Sequence, residues 1–228
     1  MGQSKPLQEQ AMSFTDPRKN SELLCPLPSK PDTFPPTFYA APPETVARAL
    51  LGQWLFRDST EGLTGGLIVE TEAYLADGDP ASHAAKGPNR KNQSMFGPAG
   101  NAYVYVIHAR HCLNVVTEEE GRGSAVLIRA LQPACGISRM RQRRRRSGPR
   151  DLTTGPARLC EAMNVTRTFD GHDLTQTDVL WIQPSEIDPD SLATKSTVRT
   201  GVTSGQELEL RFVIQGNPFV SGPKSLRM

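Results

Sequence analysis

The chain has 228 residues, 37% of them hydrophobic and 22% charged, with a formal net charge of +2. That is enough for one domain of about 180 residues with a substantial core, plus a tail. No apolar run is long enough to cross a bilayer, the first thirty residues lack a signal-peptide core, and Pro6 stands where a myristoylation motif after Gly2 needs Ser or Thr. These features predict an intracellular chain with no membrane association. Cys25, Cys112, Cys135 and Cys160 are scattered, with no Cys-x-x-Cys pair and no His at zinc spacing, which predicts four reduced thiols and no metal.

Residues 1–37 are polar and contain Pro26, Pro28, Pro31, Pro35 and Pro36. They cannot bury enough apolar surface to offset their ordering entropy, so a flexible tail is expected, with the folded domain over 38–228. Pro42 and Pro43 then introduce Val46, Ala47, Leu50 and Leu51 at helical spacing, and Gly52 is the stop. Strands are expected at 54–56 and 67–74, joined as a hairpin. The polar stretch 77–95, carrying Arg90 and Lys91, is a long connection of the kind that carries function.

Residues 102–107 and 113–116 predict a second hairpin whose basic tip runs from His108 to Cys112. A strand over 124–131, a basic helix over 136–146, a short helix over 156–163 and strands at 179–182 and 208–214 complete the pattern. Strands adjacent in sequence with irregularly interspersed helices indicate an α+β fold rather than a doubly wound sheet. Arg139, Arg141, Arg143, Arg144, Arg145, Arg146 and Arg150 hold seven positive charges with no acid among them, which leaves the rest of the chain net negative. Guanidinium forks suit phosphate, so this segment is a candidate nucleic-acid contact, Arg141 and Arg144 included; a solvated helix end is the competing interpretation.

Side chains alternate along a strand, so Glu70, Glu72 and Tyr74 share one face. Glutamate is depleted in strands. Enclosed together, two carboxylates shift each other's pKa values and suit proton transfer; open to water, they are only surface. Between Glu72 and Asn114 lie three of the four tyrosines (Tyr74, Tyr103, Tyr105) and three of the four histidines (His83, His108, His111). Apposed strands could therefore line a slot with aromatic walls and a carboxylate floor, which suits a planar ligand. Stacking contributes about 1–3 kcal/mol per nucleobase and extrusion from a duplex costs a few kcal/mol, so these residue types suffice to hold a flipped base. Taken singly, each tyrosine is as readily a cross-strand pair and His83 a loop hydrogen-bonder.

The blocks Ile68-Val69-Glu70-Thr71-Glu72-Ala73-Tyr74, Ala-Ser-His83, Met95-Phe96, Tyr103-Val104-Tyr105, Leu113-Asn114, Leu127-Ile128-Arg129-Ala130-Leu131 and Gly155-Pro156-Ala157-Arg158-Leu159-Cys160 resemble the alkyladenine (3-methyladenine) DNA glycosylases in order and spacing. The resemblance spans about 38–221. It implies a single domain with a curved, mostly antiparallel sheet, surrounding helices and a protruding hairpin. It also implies a monofunctional, cofactor-free enzyme, monomeric and located with the DNA, that flips alkylated or deaminated purines (3-methyladenine, 7-methylguanine, hypoxanthine, ethenoadenine) from the duplex and hydrolyses the N-glycosidic bond.

By that resemblance Glu72 is the general base, Glu70 its support, and Arg129 holds glutamate and water. Tyr74, His83 and Tyr105 sandwich the base and Asn114 rejects guanine's amino group. His108 stands where the family usually has tyrosine, in a segment one residue shorter, so Arg110, His111 and Tyr103 join it as candidates for the minor-groove wedge. Arg90, Lys91, Arg141 and Arg144 are expected on the DNA backbone. Two rivals remain: a noncatalytic damaged-DNA-binding module, and a metal-dependent phosphodiesterase using Glu70, Glu72 and His83.

Overall fold

In the computed structural model, which describes Cys25, residues 32–188 and residues 191–227, eight strands form one antiparallel sheet. The long strand β2 (Thr64–Tyr74) is its spine. On one side it pairs with β1 (Trp54–Arg57) and, further along, with β8 (Arg211–Ile214); on the other it pairs with β5 (Ala125–Cys135). Beyond β5 come β4 (Arg110–Val116) and β3 (Ala102–Ile107); β6 (Leu180–Gln183) flanks β1 and β7 (Thr194–Thr197) flanks β8. The sheet curls into a half-barrel, as an α+β chain with a curved sheet should.

Two bulges curve the β2–β5 pair where function is expected. Ile68 faces Leu131 and Glu70 faces Ala130, so Val69 is an extra residue in β2; Thr71 faces Ile128, so Arg129 is an extra residue in β5. A bulge bends its strand and re-aims the side chain it carries. The backbones approach closely near Gly66, where a Cβ would lie 2.4 Å from the Gln132 carbonyl oxygen, so only glycine fits.

Helix α1 (Pro36–Tyr39) begins just before the expected start of the domain, and Phe34 already packs on the core. Of the expected tail, residues 1–24 and 26–31 lie outside the described residues. Helix α2 (Pro43–Ala49) packs Val46 and Ala47, with Leu50 and Leu51 after it, onto the sheet. Thr71 Oγ1 donates to Ala47 O at 2.8 Å, which directs this side of β2 at α2 and leaves Glu70, Glu72 and Tyr74 on the other face. Helix α5 (Pro156–Met163) buries Leu159, Cys160, Ala162 and Met163 beneath β4 and β5. The basic helix is α3 (Ile137–Arg144), ended by Arg145 in the left-handed region, and α4 (Arg150–Thr153) links it to α5.

Several details differ from the sequence expectations, among them an unexpected strand, β7, and a β8 that begins at Arg211. The second hairpin turns on two residues, His108 (φ 49°) and Ala109 (φ 58°), so Arg110, His111 and Cys112 belong to β4 rather than to a five-residue tip. Strand β5 runs on to Cys135, Pro133 being tolerated beside an irregularity in the pairing. Finally, Cys25 and Cys135 form a disulfide across 110 residues, with Cα atoms 5.2 Å apart, instead of two thiols. No spacing rule pairs cysteines that distant; packing of both against the Trp54, Phe56 and Trp181 cluster brings them together. Cys112 and Cys160 are free and buried.

Candidate active site

The two strand carboxylates are fully enclosed but differently held. Glu70 Oε1 accepts from Arg211 Nε at 2.7 Å, Ser221 Oγ at 2.8 Å and Arg129 Nε at 2.9 Å, while Oε2 accepts from Ser221 N at 2.7 Å. Burial alone would raise this carboxyl's pKa; Arg129, Arg211 and the Ser221 hydrogen bonds outweigh it and hold the group below the ordinary carboxylate range. Glu72 shares Arg129 only, through Nη1 at 3.2 Å, and its other partners are Tyr74 Oη at 3.0 Å and Thr200 N at 2.8 Å. Its Oε1 therefore keeps acceptor capacity, whereas Oε1 of Glu70 is saturated.

Arg129 is buried and spans both carboxylates from its bulge. Although burial disfavours its charge, Glu72 and Glu70 keep it firmly protonated. The two carboxylates are thus held against Arg129 and Arg211, the kind of pairing by which buried charge persists.

The aromatic residues form one connected cluster around this floor. His83, from the long connection, sets Nδ1 2.7 Å from Tyr103 Oη and stands edge-on to Tyr105 with ring centroids 4.6 Å apart. Tyr103 and Tyr105 are 5.7 Å apart, so His83, Tyr103 and Tyr105 make a single wall. Tyr74 belongs to the same cluster, half-buried, with its hydroxyl on Glu72. His83 keeps one accessible edge, yet its contact with the wall depresses its pKa by desolvation; the Tyr103 phenol is pushed up by burial. A neutral imidazole facing a protonated phenol results. Asn114 is buried next to this wall, its Nδ2 donating to Tyr103 O at 2.9 Å.

Five contributors carried no sequence signal. Thr200, Arg211 and Ser221 reach the carboxylates from at least 128 residues away. Asp79 and Arg199 form a buried bidentate pair, at 2.6 and 2.7 Å, beside Tyr74. Their spacing matches no motif.

The hairpin carries Val106 and Ile107 about half exposed next to His108 at the turn. Arg110 is 3.7 Å from Glu161 on α5, across a cleft of about 600 Å³ that His108, His111 and Arg143 also line. Arg90, Lys91 and Arg141 are exposed. Arg144 is enclosed, paired with Glu161 and donating to Asp151 O, and Arg143 is held by Glu61 and Ala162 O. The arginine segment is therefore partly a structural brace. Among the described residues no three carboxylate, imidazole or thiol groups converge as a metal site.

Comparison with known proteins places the chain among sequence relatives. A relative from Rhodopirellula baltica is 49% identical over 190 residues, covering 81% of each chain. One from Methanoculleus marisnigri is 42% identical over 193 residues, covering 83% of this chain and 98% of the relative, and one from Koribacter versatilis is 38% identical over 216 residues, covering 92% and 100%. All three bear the name "Putative 3-methyladenine DNA glycosylase". The sequence model of the methylpurine-DNA glycosylase family matches residues 37–218, and with it this chain belongs to that family, as a DNA glycosylase for alkylated bases.

Proposed function

We propose that the chain, acting as a monomer within the cell, flips damaged purines out of duplex DNA and hydrolyses the N-glycosidic bond, leaving an abasic site. The substrates in this reading are 3-methyladenine, 7-methylguanine, hypoxanthine and ethenoadenine. The observation that carries it is the unequal ligation of the two carboxylates. Glu70 answers to two guanidinium groups and a serine, so it is a weak base; Glu72 answers to half of one guanidinium and keeps an open acceptor. Glu72 takes a proton from water as the water oxygen bonds to the anomeric carbon and the glycosidic electron pair leaves with the base. General-base assistance of this kind is worth about 10²–10⁴ in rate. Both carboxylates also stabilise the oxocarbenium-like centre electrostatically.

The extruded base stands between Tyr74 and the wall of His83 and Tyr105, with Asn114 at its edge. His83 Nδ1 and Tyr103 Oη are paired at 2.7 Å, and in the tautomer where the phenol donates, Nε2 carries the imidazole proton and is a donor for the base. The hairpin fills the vacated stack. Ile107 joins His108 and Arg110 in that wedge, because apolar side chains are the usual inserts and Ile107 is the exposed one beside the turn. The exposed Arg90, Lys91 and Arg141 contact the DNA backbone.

The test is duplex carrying a single hypoxanthine, or alkylated duplex, incubated in EDTA and then treated with hot alkali. Alkali-labile sites are expected with the parent and not with Glu72→Gln. A noncatalytic binding module gives none with either protein, and a metal-dependent phosphodiesterase is silent in EDTA.

A further inference from the structure

We propose that Arg199 is a positioning residue for base excision: clamped by Asp79, its guanidinium backs the Tyr74 ring and so fixes both the stacking wall and the Tyr74–Glu72 hydrogen bond. The inference rests on the role of Tyr74 as a wall of the base pocket.

Arg199 lies between β7 and β8, and its side chain and that of Asp79 are wholly enclosed. Nη1 and Nη2 meet the two Asp79 oxygens, and Nη1 also donates to Ala73 O at 3.1 Å, the residue between Glu72 and Tyr74. Asp79 is itself fixed by Leu75 N at 3.1 Å and Ala81 N at 3.0 Å, so the clamp is anchored at both ends. On this platform the guanidinium carbon stands 4.7 Å from the Tyr74 ring centroid. The neighbouring Thr200 supplies the amide that reaches Glu72 Oε1. One dipeptide therefore braces the wall and the base together.

A purely structural ion pair explains this arrangement poorly. Among the described residues Arg199 Nε is buried without a hydrogen-bond partner, so the guanidinium is not placed to satisfy all its donors there. Its two Nη atoms hold Asp79 while the guanidinium carbon stands over the Tyr74 ring. A tyrosine ring on a strand is otherwise free to pivot about its χ angles, and pivoting would take Oη off Glu72 and tilt the surface on which a base stacks. Arginine suits this task because it is planar, stacks on aromatic faces and holds a carboxylate in two places at once; lysine does neither of the last two.

The experiment is a double-mutant cycle on single-turnover excision from lesion-bearing duplex, comparing the parent, Arg199→Lys, Tyr74→Ala and the double variant. Arg199→Lys keeps the charge and one bond to Asp79 but loses the flat face. We expect it to slow excision about tenfold to a hundredfold with Tyr74 present, in keeping with the sensitivity of chemistry to small misplacements. In the Tyr74→Ala background we expect less than about a twofold effect. Affinity for undamaged duplex stays at the parent value.

Equal losses in both backgrounds, or no loss in either, overturn the inference. If Arg199→Lys does not fold, the same cycle is run with Asp79→Asn, which keeps the shape of the clamp and removes its charge. A fully active Tyr74→Ala protein overturns the proposed wall itself. A slow Tyr74→Ala beside a fully active Arg199→Lys overturns only the inference. A parent with no excision overturns both.

Discussion

Arg129 divides one guanidinium between Glu70 and Glu72, giving Nε to the first at 2.9 Å and Nη1 to the second at 3.2 Å. Glu70 has a second arginine and Ser221 besides, so the two carboxylates differ in what their loss does. Glu72→Gln should lower excision by about 10²–10⁴ and leave thermal unfolding within a few degrees of the parent. Glu70→Gln leaves Arg211 buried without its counter-charge, and should lower unfolding free energy by about 3–5 kcal/mol. Denaturant titration and single-turnover rates on both variants check this; a stable, inactive Glu70→Gln beside an active Glu72→Gln would reverse the roles.

The same ligation sets a pH dependence of stability. Glu70 and Asp79 both titrate below the ordinary carboxylate range, Glu70 through Arg129, Arg211 and Ser221, and Asp79 through Arg199 and the Leu75 and Ala81 amides, each against an opposing burial effect. The unfolded chain then binds protons that the folded chain refuses, so their contribution is complete above the unfolded pKa of about 4 and is lost as pH falls through the folded values. Urea unfolding should show stability dropping on acidification below that point, with a shallower drop in Glu70→Gln. Parallel acid limbs in the two proteins would count against Glu70 as a contributor.

Much of the frame was written locally in the chain. Pro43 opens α2, Gly52 turns the chain just beyond its end, and alternation along β2 puts Glu70, Glu72 and Tyr74 on one face because the Val69 bulge falls before them. The unequal ligation of the two carboxylates was not local, since Arg211 and Ser221 meet Glu70 from 141 and 151 residues away. Arg144 looked like a free cation because Glu161, its partner, is on another helix. The short turn was hidden for another reason: His108 and Ala109 carry none of the Asn-Gly character that such turns favour.

That turn is itself testable. A left-handed residue with a Cβ is disfavoured by roughly 1–2 kcal/mol, and Ala109 holds φ 58°. Ala109→Gly should therefore stabilise the hairpin, by up to about 1 kcal/mol once the extra freedom of glycine in the unfolded chain is counted. Hydrogen-exchange protection of Ile107 and Arg110, which pair across the turn, reports it directly. Ile107→Ala should leave protection intact while weakening affinity for lesion-bearing duplex, because its side chain is exposed and holds no core contact. Unchanged affinity in Ile107→Ala would remove it from the wedge.

The disulfide makes the last prediction, and its size follows from loop length. Cys25 and Cys135 close a loop 110 residues apart in sequence, and a cross-link of that span restricts the unfolded chain by about 4–5 kcal/mol in the chain-entropy account, with about 2–4 typical in practice. Cys135 is buried at the end of β5, against the cluster of Trp54, Phe56 and Trp181. Reduction leaves that packing in place and frees only the Cys25 side, so the domain should stay folded but melt earlier. Cys25→Ser should match the reduced parent in denaturant midpoint and should show no further shift with dithiothreitol. The intact oxidised parent should resist alkylation at both positions, while Cys112 and Cys160 become reactive only on unfolding, since both thiols are buried and burial raises their pKa values. A parent whose midpoint is indifferent to dithiothreitol, with four alkylatable thiols in denaturant alone, would show that this bond does not form in solution.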